Sequence, residues 1–136
     1  MVFIQNFASD PAKGGCQLST CWERAGGQAR RRDIVIGPIH DFFNDDAYWA
    51  GVERRVPFCS HFALECVSFS QARTTPKIRW LTDPVGDQRN EEVYKGNKML
   101  SRVVERCLML LEKVAHILVE KPWLSYAWLI PEMLAL

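Results

Sequence analysis

Apolar and polar positions follow two periods along this chain, and each change of period marks an element. Residues 2–7 are apolar and β-prone, interrupted only by Gln5 and Asn6, which predicts a short buried strand. Turn residues Pro11, Gly14 and Gly15 follow. A helical stretch over 16–25 is then stopped by Gly26 and Gly27 at its C-cap. Arg30-Arg31-Arg32 reads as a solvated turn leading into a second short strand over 33–36, which Gly37-Pro38 ends. Asn44 is the expected N-cap of a helix running to about residue 55, with Asp45 and Asp46 in the first turn, where the helix dipole favours anions. Residues 56–64 form the next strand, apolar except for Ser60 and His61.

Between residues 65 and 92 there is little periodicity, and Pro76, Pro84 and Gly86 interrupt the run. That length predicts a functional loop or lid over 65–93 rather than a plain connection. The clearest helix follows over 96–115, where Leu100, Val103, Val104, Cys107, Leu108, Leu111 and Val114 recur at helical spacing. Residues 117–119 read as a buried strand ended by Pro122. The apolar tail over 123–136 predicts a helical turn and a further short helix broken at Pro131. Strands alternating with helices imply an α/β, three-layer, Rossmann-like fold with a mainly parallel sheet, in one domain over residues 1–136. In such sheets ligands sit beyond the carboxyl ends of the strands, here residues 7–15, 36–41, 64–70 and 120–126.

Composition narrows the function classes. A hydrophobic share of 48% is that of a globular domain, and a formal net charge of +1 lacks the basic excess of a strongly electrostatic nucleic-acid or membrane binder. The five cysteines are odd in number and lack zinc spacing, so they are expected to be free thiols in a reducing intracellular compartment, the nucleus or an organelle included. Cys59 and Cys107 are expected to be small core residues. No apolar run reaches the length of a membrane span, and Met1-Val2-Phe3-Ile4 carries no basic leader. His61 and His116 adjoin strand residues and are read as core or edge histidines rather than metal ligands.

Four spaced segments carry a family resemblance. His61-Phe62-Ala63-Leu64-Glu65-Cys66-Val67-Ser68-Phe69-Ser70-Gln71-Ala72-Arg73 ends a strand with a cysteine and a Ser-x-Phe-Ser run. Glu120-Lys121-Pro122-Trp123-Leu124-Ser125 and the residues to Pro131 form the second, Gly96-Asn97-Lys98 the third, and Asp33 to Gly37 with His40-Asp41 the fourth. Together they resemble the S-adenosylmethionine-dependent DNA cytosine-C5 methyltransferases. The resemblance is closest to the divergent methyltransferase-like domains found beside mobile elements in some protists and algae. It implies that Cys66 is the nucleophile that adds to C6 of cytosine, and that Glu120 holds the ring N3 and exocyclic amine of a base turned out of its duplex. It further implies a cofactor site of Phe7, Gly14, Gly15, Asp33 and Asp41, with Asp33 on the ribose hydroxyls and Asp41 on the adenine amine. Nucleic acid is the implied substrate.

Departures from the pattern shape these expectations. Glu65 stands where the family has proline, Lys121 where it has asparagine, and only Gly14-Gly15 remain of the glycine-rich turn. The chain also stops after the fourth strand, before the family's target-recognition region. Impaired catalysis and weak or absent cofactor binding are therefore expected, and the alternative is a domesticated, non-catalytic structural or binding subunit of a larger assembly. Lys121 is expected to pair with Glu120 or Glu65, and Trp123, Tyr126 and Trp128 to form an aromatic cluster. The tail over 123–136 is expected to be a surface for a protein partner or self-association.

Overall fold

Four short β-prone runs form strands: β1 at Val2–Asn6, β2 at Gln28–Arg32, β3 at Cys59–Ala63 and β4 at His116–Glu120. All pair in parallel, in the order β2-β1-β3-β4. The structure is a computed structural model and describes residues 1–6, 17–32, 45–64, 67–73 and 75–136. Its helices are α1 at Gln17–Arg24, α2 at Asp46–Arg54, α3 at Glu91–Glu112 and α4 at Pro131–Leu134, with a 3-10 turn at Tyr126–Leu129. The fold class is α/β with an all-parallel sheet, as the alternating pattern predicts.

The chain packs as two compact units. The first comprises Met1–Ala63 and Met109–Glu120 and holds the sheet with α1 and α2. Side chains alternate across a strand, so the register assigns every residue a face. Phe3 lies beside Cys59 and Gln5 beside His61 on one face; Ile4 lies beside Ser60 and Asn6 beside Phe62 on the other. Helix α1 covers the first face: the Trp22 ring sits 5.8 Å from Phe3 and 5.7 Å from Phe58. Helix α2 covers the second, with Trp49 stacked on Phe62 at 6.1 Å. Phe62 and Trp49 are both buried, and removing one such ring typically costs about 3–5 kcal/mol. Helices on both faces of a parallel sheet, with the strand order reversing between β1 and β3, make a doubly wound unit.

Local chemistry moves several boundaries. The second strand is Gln28–Arg32 and contains Arg30-Arg31-Arg32, which are therefore not a turn. Gly26, at φ +83°, ends α1, and the Trp22 indole lies over Gly27 so closely that a Cβ there would come within 2.0 Å of its Nε1. The chain turns at once into β2, and Arg31 is tied back to α1 by Ser19 Oγ at 2.7 Å and by Glu23. Residues 33–36 and Asn44 lie outside the described residues. Asp45 takes the N-cap position of α2 without a side-chain cap; its carboxylate accepts the Trp49 indole N–H at 2.6 Å instead. Strand β4 is not buried as its sequence suggests: it is the outermost of the described strands, and Leu118 is 55% exposed.

The second unit comprises Leu64–Leu108 and Lys121–Leu136. Its long connection is organised around Arg79, which is 1% exposed. The guanidinium donates to Ser68 O, Pro84 O, Val85 O and Asn97 Oδ1 at 2.7–2.9 Å, and more weakly to Ser68 Oγ and Val93 O at 3.3 Å. It also stacks on the Phe69 ring at 4.1 Å. Burial pushes its pKa down to about 10, with Asp83 and Glu92 opposing, which leaves it charged at neutral pH. Helix α3 starts at Glu91, five residues before Gly96, because Asn90 Oδ1 caps the N–H groups of Glu92 and Val93 at 3.0 and 3.2 Å. Pro131 opens α4 at its first turn rather than breaking it.

Candidate functional site

The parallel sheet brings the carboxyl ends of the four described strands to one edge, where Arg32, Asn6, Ala63 and Glu120 terminate side by side in that order. Of the sequence-predicted site residues, Glu120 lies at this edge. Phe7, Gly14, Gly15, Asp33, Asp41 and Cys66 lie outside the described residues. Two polar groups flank the β1/β3 boundary, one on each face of the sheet.

On the α2 face, Asn6 is fully buried and donates through Nδ2 to Ser60 Oγ at 3.2 Å and to His61 O at 3.1 Å. Its Oδ1 is buried with no hydrogen-bond partner among the described residues. On the α1 face, His61 Nε2 lies 3.2 Å from Glu120 Oε2. The register explains the contact: His61 pairs with Leu118, so Glu120 is its diagonal neighbour two residues on, across the β3–β4 ladder. The His61 side chain is 3% exposed and that of Glu120 is 70% exposed, so a buried imidazole anchors a solvent-facing carboxylate. In the tautomer that donates Nε2–H to Glu120, Nδ1 is an acceptor, and it too is buried without a partner. Beside them Gln5 Oε1 accepts the Ser19 backbone N–H at 3.1 Å, which ties the first turn of α1 to β1.

Buried polar atoms without partners cost about 1–3 kcal/mol each. Two such atoms, Asn6 Oδ1 and His61 Nδ1, lie toward the carboxyl ends of β1 and β3, on opposite faces of the sheet, beside the point where strand order reverses. Glu120 offers the edge an acceptor whose direction His61 fixes. Among the described residues no group of three or more His, Cys, Asp or Glu side chains is placed to hold a metal ion.

Lys121 is buried, and its Nζ lies 4.8 Å from the Phe69 ring centroid; Glu65, one of its two expected partners, lies outside the described residues. Trp123 is 91% exposed and Tyr126 is buried, so the tail aromatics do not pack as one cluster. Trp128 donates its indole N–H to Pro122 O at 2.9 Å. Cys59 and Cys107 are buried, as their apolar settings predict; burial raises the Cys59 thiol and pushes Cys107 up to about 12. Among the described residues no helix is long and apolar enough to cross a membrane.

Sequence reasoning named Glu120 but passed over Asn6, Ser60 and His61, which it took as interruptions of apolar strands. The signal was there: polar residues inside strands that are otherwise buried must be satisfied by something. All three fall within the last four residues of a strand. No family model, curated protein or solved structure matches this chain.

Proposed function

We propose that the chain is a Rossmann-like, S-adenosylmethionine-dependent methyltransferase-like domain related to the DNA cytosine-C5 methyltransferases, with its site at the carboxyl edge of the sheet. The observation that carries the reading is the Glu120 carboxylate, exposed at that edge and held by buried His61. A carboxylate fixed in direction suits a cytosine ring, which presents an exocyclic amine donor. In this reading Glu120 binds the base and Cys66 supplies the thiolate. Phe7, Gly14, Gly15, Asp33 and Asp41, which follow the carboxyl ends of β1 and β2 in sequence, would hold S-adenosylmethionine. When bound, that cofactor supplies the methyl group.

Calorimetry with S-adenosylmethionine, followed by methyl transfer from labelled cofactor to a cytosine-containing oligonucleotide, tests the reading. Weak binding is expected, with a Kd above about 1 μM, lost on Asp33→Ala and retained in Glu120→Gln. Any transfer activity should vanish in Glu120→Gln. Absence of binding up to millimolar cofactor would remove the methyltransferase assignment.

A second reading, a non-catalytic subunit of a larger assembly, is favoured by the second unit's surface. Trp123, Leu124 and Leu134 are all well exposed, while Tyr126, Ala127, Ile130 and Met133 of the same tail are buried. The buried residues show that the tail has folded in; those left outside are large apolar side chains, which more often mark a partner than chance. Retention of full solubility and monomeric mass at high concentration would count against it.

A further inference from the structure

We infer that β4 is a self-pairing edge, through which two copies of the chain join their sheets in an antiparallel β4–β4 contact centred on Leu118. The inference rests on β4 being the outer strand of the sheet among the described residues, and it gives the Glu120 carboxylate a role other than the base contact proposed above.

Strand β4 is the last in the order β2-β1-β3-β4. Exposed edges are normally blunted by proline, lysine, a bulge or a covering element. His116-Ile117-Leu118-Val119-Glu120 holds no proline or lysine, and it pairs with Cys59–Ala63 in unbroken register. His116 N–H donates to Phe58 O at 3.0 Å. In a parallel ladder successive residues alternate in direction, so His116, Leu118 and Glu120 spend their backbone groups on β3. Ile117 and Val119 then point theirs outward.

An antiparallel partner with a two-fold axis at Leu118 uses those outward groups. Ile117 of one copy exchanges both backbone hydrogen bonds with Val119 of the other, and the axis makes this happen twice. Leu118 faces Leu118, and His116 faces Glu120, in the non-hydrogen-bonded pairs where side chains approach most closely, with Cα atoms about 4.5 Å apart. Every cross-strand pair is then complementary: apolar against apolar, and an imidazole donor against a carboxylate. A parallel pairing would set His116 against His116 and Glu120 against Glu120, so the sequence selects the antiparallel arrangement.

The side chains are placed for it. Leu118 is 55% exposed, and His116 is exposed with its ring edge-on to Phe58 at 4.8 Å. Glu120 directs Oε2 to its own His61, which leaves Oε1 for His116 of the second copy. The contact joins two four-stranded sheets into one of eight, with a two-fold axis of the kind that most homodimers use.

Sedimentation equilibrium from about 1 μM to about 1 mM tests the contact, together with hydrogen exchange at both extremes. The expected result is a reversible dimer. The amides of Ile117 and Val119 should gain protection with concentration, while that of Leu118, bonded within the monomer's own sheet, should not change. His116→Glu places carboxylates opposite each other twice and should weaken the dimer by about tenfold. The double variant His116→Glu/Glu120→Lys restores opposite charges and should recover it. A wild-type chain that stays monomeric throughout, Ile117 and Val119 amides indifferent to concentration, or a His116→Glu dimer as tight as the parent each overturns the inference. The exchange measurement needs no variant, so it decides even where a substitution disturbs folding.

Discussion

Glycine-to-alanine substitution should have opposite signs at two helical positions of this chain. An alanine in a helix interior is worth about 0.5–1 kcal/mol over glycine, because glycine loses more backbone freedom on folding. Gly51 in α2 has nothing within 4 Å of where its Cβ would stand, so Gly51→Ala should collect that gain in full. Gly96 in α3 differs. A Cβ there would come 2.3 Å from Ser68 Oγ and 3.2 Å from both Arg79 Nη2 and a Phe69 ring carbon. Ser68 Oγ accepts from Arg79 Nη2 at 3.3 Å, so turning it away from the new methyl group gives up a contact with the buried guanidinium. Overpacking of this kind costs about 1–3 kcal/mol, and disturbing a hydrogen bond to a charged group adds to it. The overlap outweighs the helix gain, and Gly96→Ala should destabilise by about 1–2 kcal/mol net. Urea denaturation reads both variants, with midpoints moving in opposite directions by about 0.5–1 M. Ser68→Ala in the Gly96→Ala background removes the nearest clash and should recover part of the loss, in a double-mutant cycle. A Gly96→Ala protein at least as stable as the parent would refute the close approach of α3 to the Ser68–Phe69 segment.

Arg79→Met should destabilise the second unit by about 3–5 kcal/mol, because Ser68 O, Pro84 O and Val85 O lose a buried charged donor; Arg79→Lys should rescue little, since one ammonium cannot reproduce the planar fork. Limited proteolysis between residues 70 and 90, together with denaturation, checks it. Thiol labelling at neutral pH should modify exposed Cys21 rapidly, while Cys59 and Cys107 react only on unfolding. Cys107 also sets a pH slope: burial pushes its folded thiol up to about 12 from an ordinary 9.0, so the unfolded chain ionises first. Stability is therefore unaffected by this group below about pH 9 and falls above it, by up to about 1.4 kcal/mol per pH unit, a slope that Cys107→Ala should remove in alkaline denaturation series.

Strand-like runs, helical spacing and capping residues act within a few positions of one another, so the sequence alone set the alternating α/β order and the burial of Cys59 and Cys107. It also placed Glu120 at a strand's carboxyl end, because strand direction in a parallel sheet follows from chain order. The Asn90 cap that starts α3 is equally local, yet the sequence reading passed over it and began the helix at Gly96. What the tertiary structure decided is which strands neighbour which. Leu118 looks like a core residue in sequence and is half in solvent, because β4 is the outermost of the described strands. Arg30-Arg31-Arg32 looks like a turn and is a strand, because an edge position leaves room for charge and α1 supplies partners for Arg31. Arg79 looks like one more surface cation in an irregular stretch, yet it binds that stretch together from inside. The His61–Glu120 pair joins residues 59 positions apart through a diagonal of the β3–β4 ladder. Such pairings depend on register between distant segments, and no local periodicity carries that information.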